Sequence, residues 1–295
     1  MNKRIIIIVL AACIKASAQP KEGGRCPAPI YARDFSKMEV VDTTRLRVRY
    51  AFCAEKINDH LTYIDLQRLD VGKRVTKYYS QFVYQSDSLR SKYAKEHPNA
   101  QAAPNWMGVQ CRMHDQWSEY EWSDYFIENG QLTEYCQMPQ WLHRYNSKYR
   151  EAVPKQEWKL TNETQNIIGY KCQKATCRFR GRDFIAWFAP AIPVKRGPWK
   201  FGGLPGLILK VQDKDGLYTF EAIGIEIRPH PITRFKEFKN YTSYGREKVW
   251  KMQRSFHENW FKATDFHKAT INPDGTTTIG EAVSIFTPYN PLELE

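Results

Sequence analysis

Residues 197–209 combine a rigid turn with a strand, and this run constrains the fold more than any other part of the chain. The run reads Gly-Pro-Trp-Lys-Phe-Gly-Gly-Leu-Pro-Gly-Leu-Ile-Leu. Pro205 followed by Gly206 favours a type II turn, because proline presets φ at the second turn position and glycine accepts a positive φ at the third. From Leu207 onward, apolar residues recur with the period of two that is typical of a strand. The run therefore predicts a turn that leads into a buried strand.

The same pattern of strand and turn recurs along the rest of the chain. Residues 46–52 alternate apolar with basic or small side chains, which indicates a half-buried strand. Asn129-Gly130 lies between two such segments, and an Asn-Gly turn twists with the strands that it joins. A further hairpin is predicted from residues 170–179 and 184–189. Many hairpins in series are typical of an antiparallel meander.

Helices are predicted in two places only. Ser86 or Asp87 is a suitable N-cap for a helix that ends near Glu96, because the residue before Pro98 avoids the α region. Residues 244–261 carry apolar side chains at helical spacing. A large twisted sheet tends to curl. We therefore predict an α+β, mainly β fold: a curved antiparallel sheet, a half-barrel-like meander with one or two peripheral helices, in a single domain over residues 19–295.

The turn and its surroundings resemble a known family. The run Gly-Leu-Pro-Gly-Leu-Ile resembles the signature that names the GLPGLI family of Bacteroidota envelope proteins, and residues 158–227 fit that family's wider pattern. The resemblance implies a location in the cell envelope and a β fold, and it implies no particular reaction. The residues that form the motif here are Gly197, Pro198, Gly203, Leu204, Pro205, Gly206, Leu207 and Ile208.

The first eighteen residues have the pattern of a signal peptide. Lys3 and Arg4 are followed by an apolar run, and Ala16-Ser17-Ala18 forms an A-x-A cleavage site. Leu-Ala-Ala-Cys13 resembles a lipobox, so a lipoprotein anchored at Cys13 is the alternative. No apolar run reaches the roughly 20 residues of a bilayer span. We expect export, with the protein in the periplasm or associated with the outer membrane.

The cysteine count predicts disulfide bonds. Cleavage at residue 18 leaves six of the seven cysteines, and an even number in an oxidising compartment favours disulfides. Cys172 and Cys177 cannot pair across a straight strand, because five extended residues span about 16 Å and a disulfide needs Cα atoms within about 7 Å. Each of them is therefore paired elsewhere or across a local turn. The candidates are Cys26, Cys53, Cys111, Cys136, Cys172 and Cys177.

A formal net charge of +12 raises the question of an anionic partner. The basic residues are scattered, as in residues 45–49 and 234–239, and no run is long enough to form a nucleic-acid-binding arm. We interpret them as solvated faces of strands and helices and predict no nucleic-acid partner.

Aromatic side chains around the turn form the strongest candidate for a binding site. Trp187, Trp199 and Phe201 are candidates to line an apolar pocket, with Arg182 or Lys200 at its mouth. The same aromatic set is typical of a core beneath a β-corner, which is the interpretation we favour, although a half-barrel lined with aromatic side chains would serve both purposes. The glycines at 202, 203 and 206 do not form a phosphate loop, because a strand and not a helix follows them.

Sequence motifs for catalysis are weak. We find no nucleophile elbow, no His-Glu-x-x-His helix and no paired carboxylates, and we predict no catalytic residue, no metal and no cofactor. The favoured hypothesis is a non-catalytic envelope module that holds an apolar or amphipathic ligand, or a partner's segment, on its curved sheet. One alternative is a metal- or thiol-dependent enzyme around Cys111, His114 and Asp115. Another is a partner of an outer-membrane transporter.

Overall fold

The computed structural model describes residues 26–29, 32–100 and 116–295. In these residues it has fifteen β-strands and three α-helices. The helices are α1 Gln81–Glu96, α2 Arg246–Glu258 and α3 Trp260–Ala263. The strands are β1 Met38–Phe52, β2 Asp65–Gly72, β3 Val75–Ser80, β4 Ser123–Glu128, β5 Gln131–Cys136, β6 Ser147–Ala152, β7 Lys159–Ile167, β8 Tyr170–Phe179, β9 Arg182–Ala189, β10 Leu207–Asp213, β11 Thr219–Glu226, β12 Pro231–Phe235, β13 Thr242–Ser243, β14 His267–Ile271 and β15 Thr277–Ala282.

One large sheet contains most of the strands and confirms the predicted fold class. Its order is β13-β6-β5-β4-β3-β2-β1-β11-β10-β9-β8-β7, with β12 paired to the first part of β1. All neighbours are antiparallel except β13, whose two residues pair in parallel with β6. The fold is therefore mainly β, with few helices, as the hairpin pattern predicted.

The sheet must curl, because two strands that are neighbours in sequence lie at opposite ends of its order. Twelve strands in line would spread over about 50 Å if they were flat. Only residues 153–158 connect β6 to β7, and this segment spans at most about 25 Å. Trp158 in the connection donates its indole N–H to the Gly202 carbonyl at 2.8 Å, which ties the crossing segment to the motif loop.

Local turn chemistry explains the hairpins. Asn129 and Gly130 have φ values of 51° and 73°, and the strands on either side pair from Glu128 with Gln131. Positive φ at both central residues is the signature of a type I′ turn, as the Asn-Gly pair predicted. Arg180 and Gly181 repeat this geometry between β8 and β9, with φ values of 49° and 80°.

Helix α1 begins earlier than predicted. It starts at Gln81, and the Ser80 hydroxyl accepts the Val83 N–H at 3.0 Å as its N-cap. The predicted cap Asp87 lies inside the helix, where its carboxylate binds Arg33 at 2.7 Å. Asp87 therefore forms a buried ion pair and does not cap the helix, whereas Ser80 at the end of β3 does.

The predicted type II turn at Pro205-Gly206 is wrong. Gly206 has no positive φ, whereas Gly203 has a φ of 86°. Glycine is required at 206 for a different reason: a Cβ there would lie 2.3 Å from the carbonyl oxygen of Ala189. The strand that follows is as predicted, since Leu207, Ile208 and Leu209 are fully buried in β10.

The expectation of disulfides is not met among the described cysteines, since no bond joins any two of the five. Cys172 and Cys177 lie on the same strand, β8, where the extended backbone separates them. The Cys136 thiol instead points to Glu134, with Sγ 3.4 Å from Oε1. Cys26 and Cys53 donate to the carbonyls of Phe256 and Leu217. Cys13, Cys111 and the predicted signal peptide lie outside the described residues.

None of the described helices combines the length and the apolar character needed to cross a bilayer.

Candidate ligand-binding cleft

Two of the predicted ligand-binding aromatics lie in the main core. Trp199 and Phe201 are 4% and 2% exposed, and their ring centroids are 5.2 Å apart. Phe184 of β9 packs edge-to-face on Phe201, with the ring centroids 4.8 Å apart. Trp187 is half-buried at the margin of this core, and the Lys174 ammonium lies 5.9 Å from its ring centroid. The structure thus joins Trp199 and Phe201, but in packing and not around an open pocket.

Arg182, the predicted head group at the pocket mouth, is bound by the chain's own C-terminal segment. Its Nε donates to the Pro291 carbonyl at 3.1 Å, and its Nη1 lies 3.3 Å from the Asp213 carboxylate. Its Nη2 also contacts the Asn290 side chain. Leu292, in the same segment, is fully buried. We call residues 289–295 the C-terminal segment.

Beside this segment, Lys200 forms the centre of a buried polar network. Its ammonium lies 3.2 Å from Glu134 Oε2, contacts Glu293 Oε1, and donates to the Tyr149 hydroxyl at 2.7 Å. Burial disfavours the charged form of Lys200, yet the charges of Glu134 and Glu293 outweigh it and raise its pKa. Arg246 of α2 adds a second cation, 2.7 Å from Glu293 Oε2.

The space left in this network is small. The cavity next to Lys200 has a volume of about 30 Å³, which is enough for water and not for a sugar or a lipid chain. Core side chains and the C-terminal segment therefore fill the region around Lys200. An apolar ligand in this place would have to displace them.

A much larger cleft lies at a different place, between the β5–β6 connection and the segment before β13. Its volume is about 570 Å³, in the range of small-molecule sites. We call it the Trp141 cleft. It is lined by Pro29, Ala32, Gln137, Met138, Pro139, Gln140, Trp141, His143, Arg144, Asn146, Glu237, Asn240, Tyr241 and Thr242.

Trp141 is exposed because of the turn that carries it. The Leu142 N–H donates to the Pro139 carbonyl at 3.0 Å, which makes Trp141 the third residue of a β-turn. Trp141 has a φ of 66° and is 53% exposed, whereas Leu142 is fully buried and anchors the turn. A left-handed conformation is unfavourable for a bulky side chain, and strain of this kind clusters at functional sites.

Polar groups suited to hydrogen bonding with a ligand line the same cleft. Gln137 Oε1 is buried without a hydrogen-bond partner in the described protein, an arrangement that is costly unless something else satisfies it. Burial raises the pKa of the Glu237 carboxyl, which the charge of Arg33 offsets only in part. The exposed His143 and Arg144 stand on the same loop as Trp141.

Asn146 organises this loop rather than facing a ligand. Its side-chain oxygen accepts the Met138 N–H at 2.8 Å, and its carbonyl accepts the Thr242 N–H at 3.1 Å. These two bonds hold the two walls of the cleft together. Trp141 stacks on Trp260 of α3, with ring centroids 6.0 Å apart and an interplanar angle of 27°. The cleft is thus built from fixed elements, with an aromatic face and several amide groups available.

The predicted enzyme site at Cys111, His114 and Asp115 lies outside the described residues. Within the described ranges, no three His, Cys, Asp or Glu side chains gather in a metal-binding arrangement. Burial and the neighbouring Glu134 raise the pKa of the Cys136 thiol, which keeps it protonated.

Comparison with known proteins gives one family match. Residues 109–244 match the family described as "N-glycanase peptide, N-terminal domain". No curated protein matched the chain. Two solved structures of PNGF-II are similar at 17% and 16% identity, each with a TM-score of 0.45 and each matched over 72% of this chain. The match covers 34% and 33% of those chains, so this chain corresponds to about a third of their length.

No motif in the sequence predicts the Trp141 cleft as a binding site. Apart from Pro29 and Ala32, its walls come from residues 137–146 and 237–242, which are about a hundred residues apart. The one local signal is Pro139-Gln-Trp-Leu142, in which a tryptophan occupies a turn position that favours glycine.

Proposed function

We propose that this chain is a non-catalytic glycan-binding module and that the Trp141 cleft is its binding site. The observation that carries the proposal is the exposed indole of Trp141, held in a strained turn and lining a cleft of about 570 Å³ that also contains amide and carboxyl groups. A flat apolar ring packs against the C–H face of a pyranose, while amides and carboxyls bond its hydroxyl groups.

The family match supports the choice of ligand. The matched family is named for an N-glycanase, and its N-terminal domain aligns with residues 109–244. That range includes every described residue of the cleft except Pro29 and Ala32. We therefore infer an N-linked oligosaccharide as the ligand class. A sugar hydroxyl would also supply the hydrogen bond that Gln137 Oε1 lacks.

Replacing Trp141→Gly tests this function. The variant should bind an N-linked oligosaccharide at least about tenfold more weakly, which corresponds to about 1.4 kcal/mol of lost binding free energy. Its thermal unfolding midpoint should stay the same or rise, because glycine adopts the positive φ of this turn without strain. Isothermal titration with released N-glycans and thermal denaturation provide the two measurements.

Phe286→Ala is the matched control, since Phe286 is an exposed aromatic at 62% that does not line the cleft. It should leave glycan affinity unchanged. Wild-type protein that fails to bind N-glycans, or Trp141→Gly protein that binds as tightly as wild type, would exclude the cleft as the site. A Trp141→Gly variant that loses binding only because it unfolds would identify the indole as a packing residue.

We further propose that the chain belongs to the envelope proteins that its motif resembles and is exported. The signal-peptide pattern of residues 1–18 supports this location. The intact mass of protein isolated from its native host should correspond to a chain that begins at Gln19. An acylated N-terminus at Cys13 would instead establish the lipoprotein form, and an uncleaved chain would rule out both.

A further inference from the structure

A second cleft, on the side of the hairpin turns, is strongly basic. Its volume is about 360 Å³, and four separate parts of the chain line it: the middle of β1, the β2–β3 turn, the β4–β5 turn and the loop after β9. These contribute five cationic side chains. They are Arg45, Lys73, Arg74, Lys195 and Arg196.

The cations of this basic cleft have little compensating charge. Four of them form no ion pair with any carboxylate of the described chain: Arg45, Lys73, Lys195 and Arg196. The guanidinium groups of Arg45 and Arg196 donate to backbone carbonyls, at 3.5 and 3.4 Å. Glu128 is the one acidic lining residue, and its carboxylate already lies 3.3 Å from Arg234. A bound anion would supply the counter-charge that most of this lining lacks.

The motif loop holds two of these cations in place. The Ile208 N–H donates to the Arg196 carbonyl at 3.0 Å, and the Gly203 N–H donates to the Lys195 carbonyl at 3.3 Å. Arg196 also forms an isolated bridge with Gly202. The glycine-rich motif thus fixes the backbone from which both side chains extend.

Arg196 differs from the other cations because it is half-buried. Partial loss of solvent lowers the pKa of its guanidinium, and apolar Leu46, Val71 and Ile127 stand in the same lining. A partly dry cation binds an oxyanion more strongly than a fully hydrated one.

We propose that this basic cleft binds a phosphate group, either from a soluble phosphorylated ligand or from a phospholipid head group. The five cations line a space large enough for a pyrophosphate, and guanidinium groups suit the oxygen geometry of phosphate. The site is separate from the Trp141 cleft, since the two share no lining residue.

The test combines two ligands with one charge-neutralising variant. Isothermal titration measures the binding of inorganic pyrophosphate, and co-sedimentation measures binding to vesicles of phosphatidylglycerol with phosphatidylcholine. The variant Arg45→Gln/Lys73→Gln/Lys195→Gln removes three exposed charges that make no ion pair, so we expect it to fold. Pyrophosphate affinity should fall at least about tenfold in this variant, since each lost charged contact weakens binding.

The control Lys171→Gln/Lys214→Gln/Lys236→Gln removes the same number of exposed charges outside the cleft. It should bind as wild type does. Binding of both ligands, lost in the first variant only, supports a general phosphate site. Binding of vesicles alone, with the same loss, assigns the phosphate to a lipid head group, and binding of pyrophosphate alone assigns it to a soluble ligand. If neither ligand binds, or if the two variants weaken binding equally, net charge and not this cleft is responsible and the proposal fails.

Discussion

Replacing Lys200→Met should reduce the free energy of unfolding by about 3 to 5 kcal/mol. The substitution keeps an unbranched side chain but removes the cation between Glu134 and Glu293, both less than 10% exposed. Arg246 still contacts Glu293, so the uncompensated charge falls mainly on Glu134. Urea denaturation of both proteins at neutral pH measures the difference.

The pH dependence of this loss has a definite sign. Because the folded pKa of Lys200 is raised, its stabilising effect is fully present below the usual lysine pKa of about 10.4 and disappears as pH rises through the higher folded value. Because the Met variant lacks this ammonium, its deficit relative to wild type should shrink as pH rises above this range.

Lys251→Met is the control, because Lys251 forms a surface pair with Glu247 at 2.6 Å and both side chains are well exposed. Its cost should be no more than about 1 kcal/mol. Equal costs for the two variants, or a Lys200→Met deficit that does not change with pH, would show that the buried network contributes no special stability.

Gly206→Ala should destabilise the fold by about 3 kcal/mol or more. The new Cβ would lie 2.3 Å from the Ala189 carbonyl oxygen and 3.0 Å from the Pro190 Cα, and both of these are backbone atoms. The end of β9 or the start of β10 must therefore move. The thermal unfolding midpoint measures the cost.

Gly203 provides the comparison within the same motif. It has a φ of 86°, but a Cβ there would meet nothing within 4 Å. Gly203→Ala should therefore cost only about 1 to 2 kcal/mol, from backbone strain, and Gly203→Asn should cost less because asparagine tolerates this region. If Gly206→Ala proves milder than Gly203→Ala, close packing is not the reason for the second glycine.

The fold class could be predicted because its causes are local. The Asn129-Gly130 turn and the alternation around it depend only on neighbouring residues, and the structure has both. Predictions that depended on distant contacts were less accurate. The start of α1 is set by Ser80 at the end of β3, while Asp87 serves an ion pair with Arg33. The sequence predicts a glycine requirement at 206 from turn geometry, whereas the structure requires glycine there because a Cβ would collide with the Ala189 carbonyl oxygen.

The candidate sites could not be predicted for the same reason. The exposed cations of the basic cleft are separated in sequence by up to about 150 residues, so the scattered charges looked like solvated faces until the sheet brought them together. Conversely, nearness in sequence leaves both a pocket and a core open for Trp199 and Phe201, and the structure packs both into the core. Burial depends on the whole sheet and is not visible in a short motif.

Strand β1 has a consequence for the order of folding. It pairs on one side with β2, close in sequence, and on the other side with β11, so that Phe52 lies opposite Phe220. The β2–β3 hairpin and the β4–β5–β6 meander can each form from neighbouring segments, but one edge of β1 stays open until residues 219–226 pair with it. Pairing over such sequence distances slows folding, and an open edge invites association with other chains. A chaperone that shields β1 during this interval would act at the step where aggregation competes with folding.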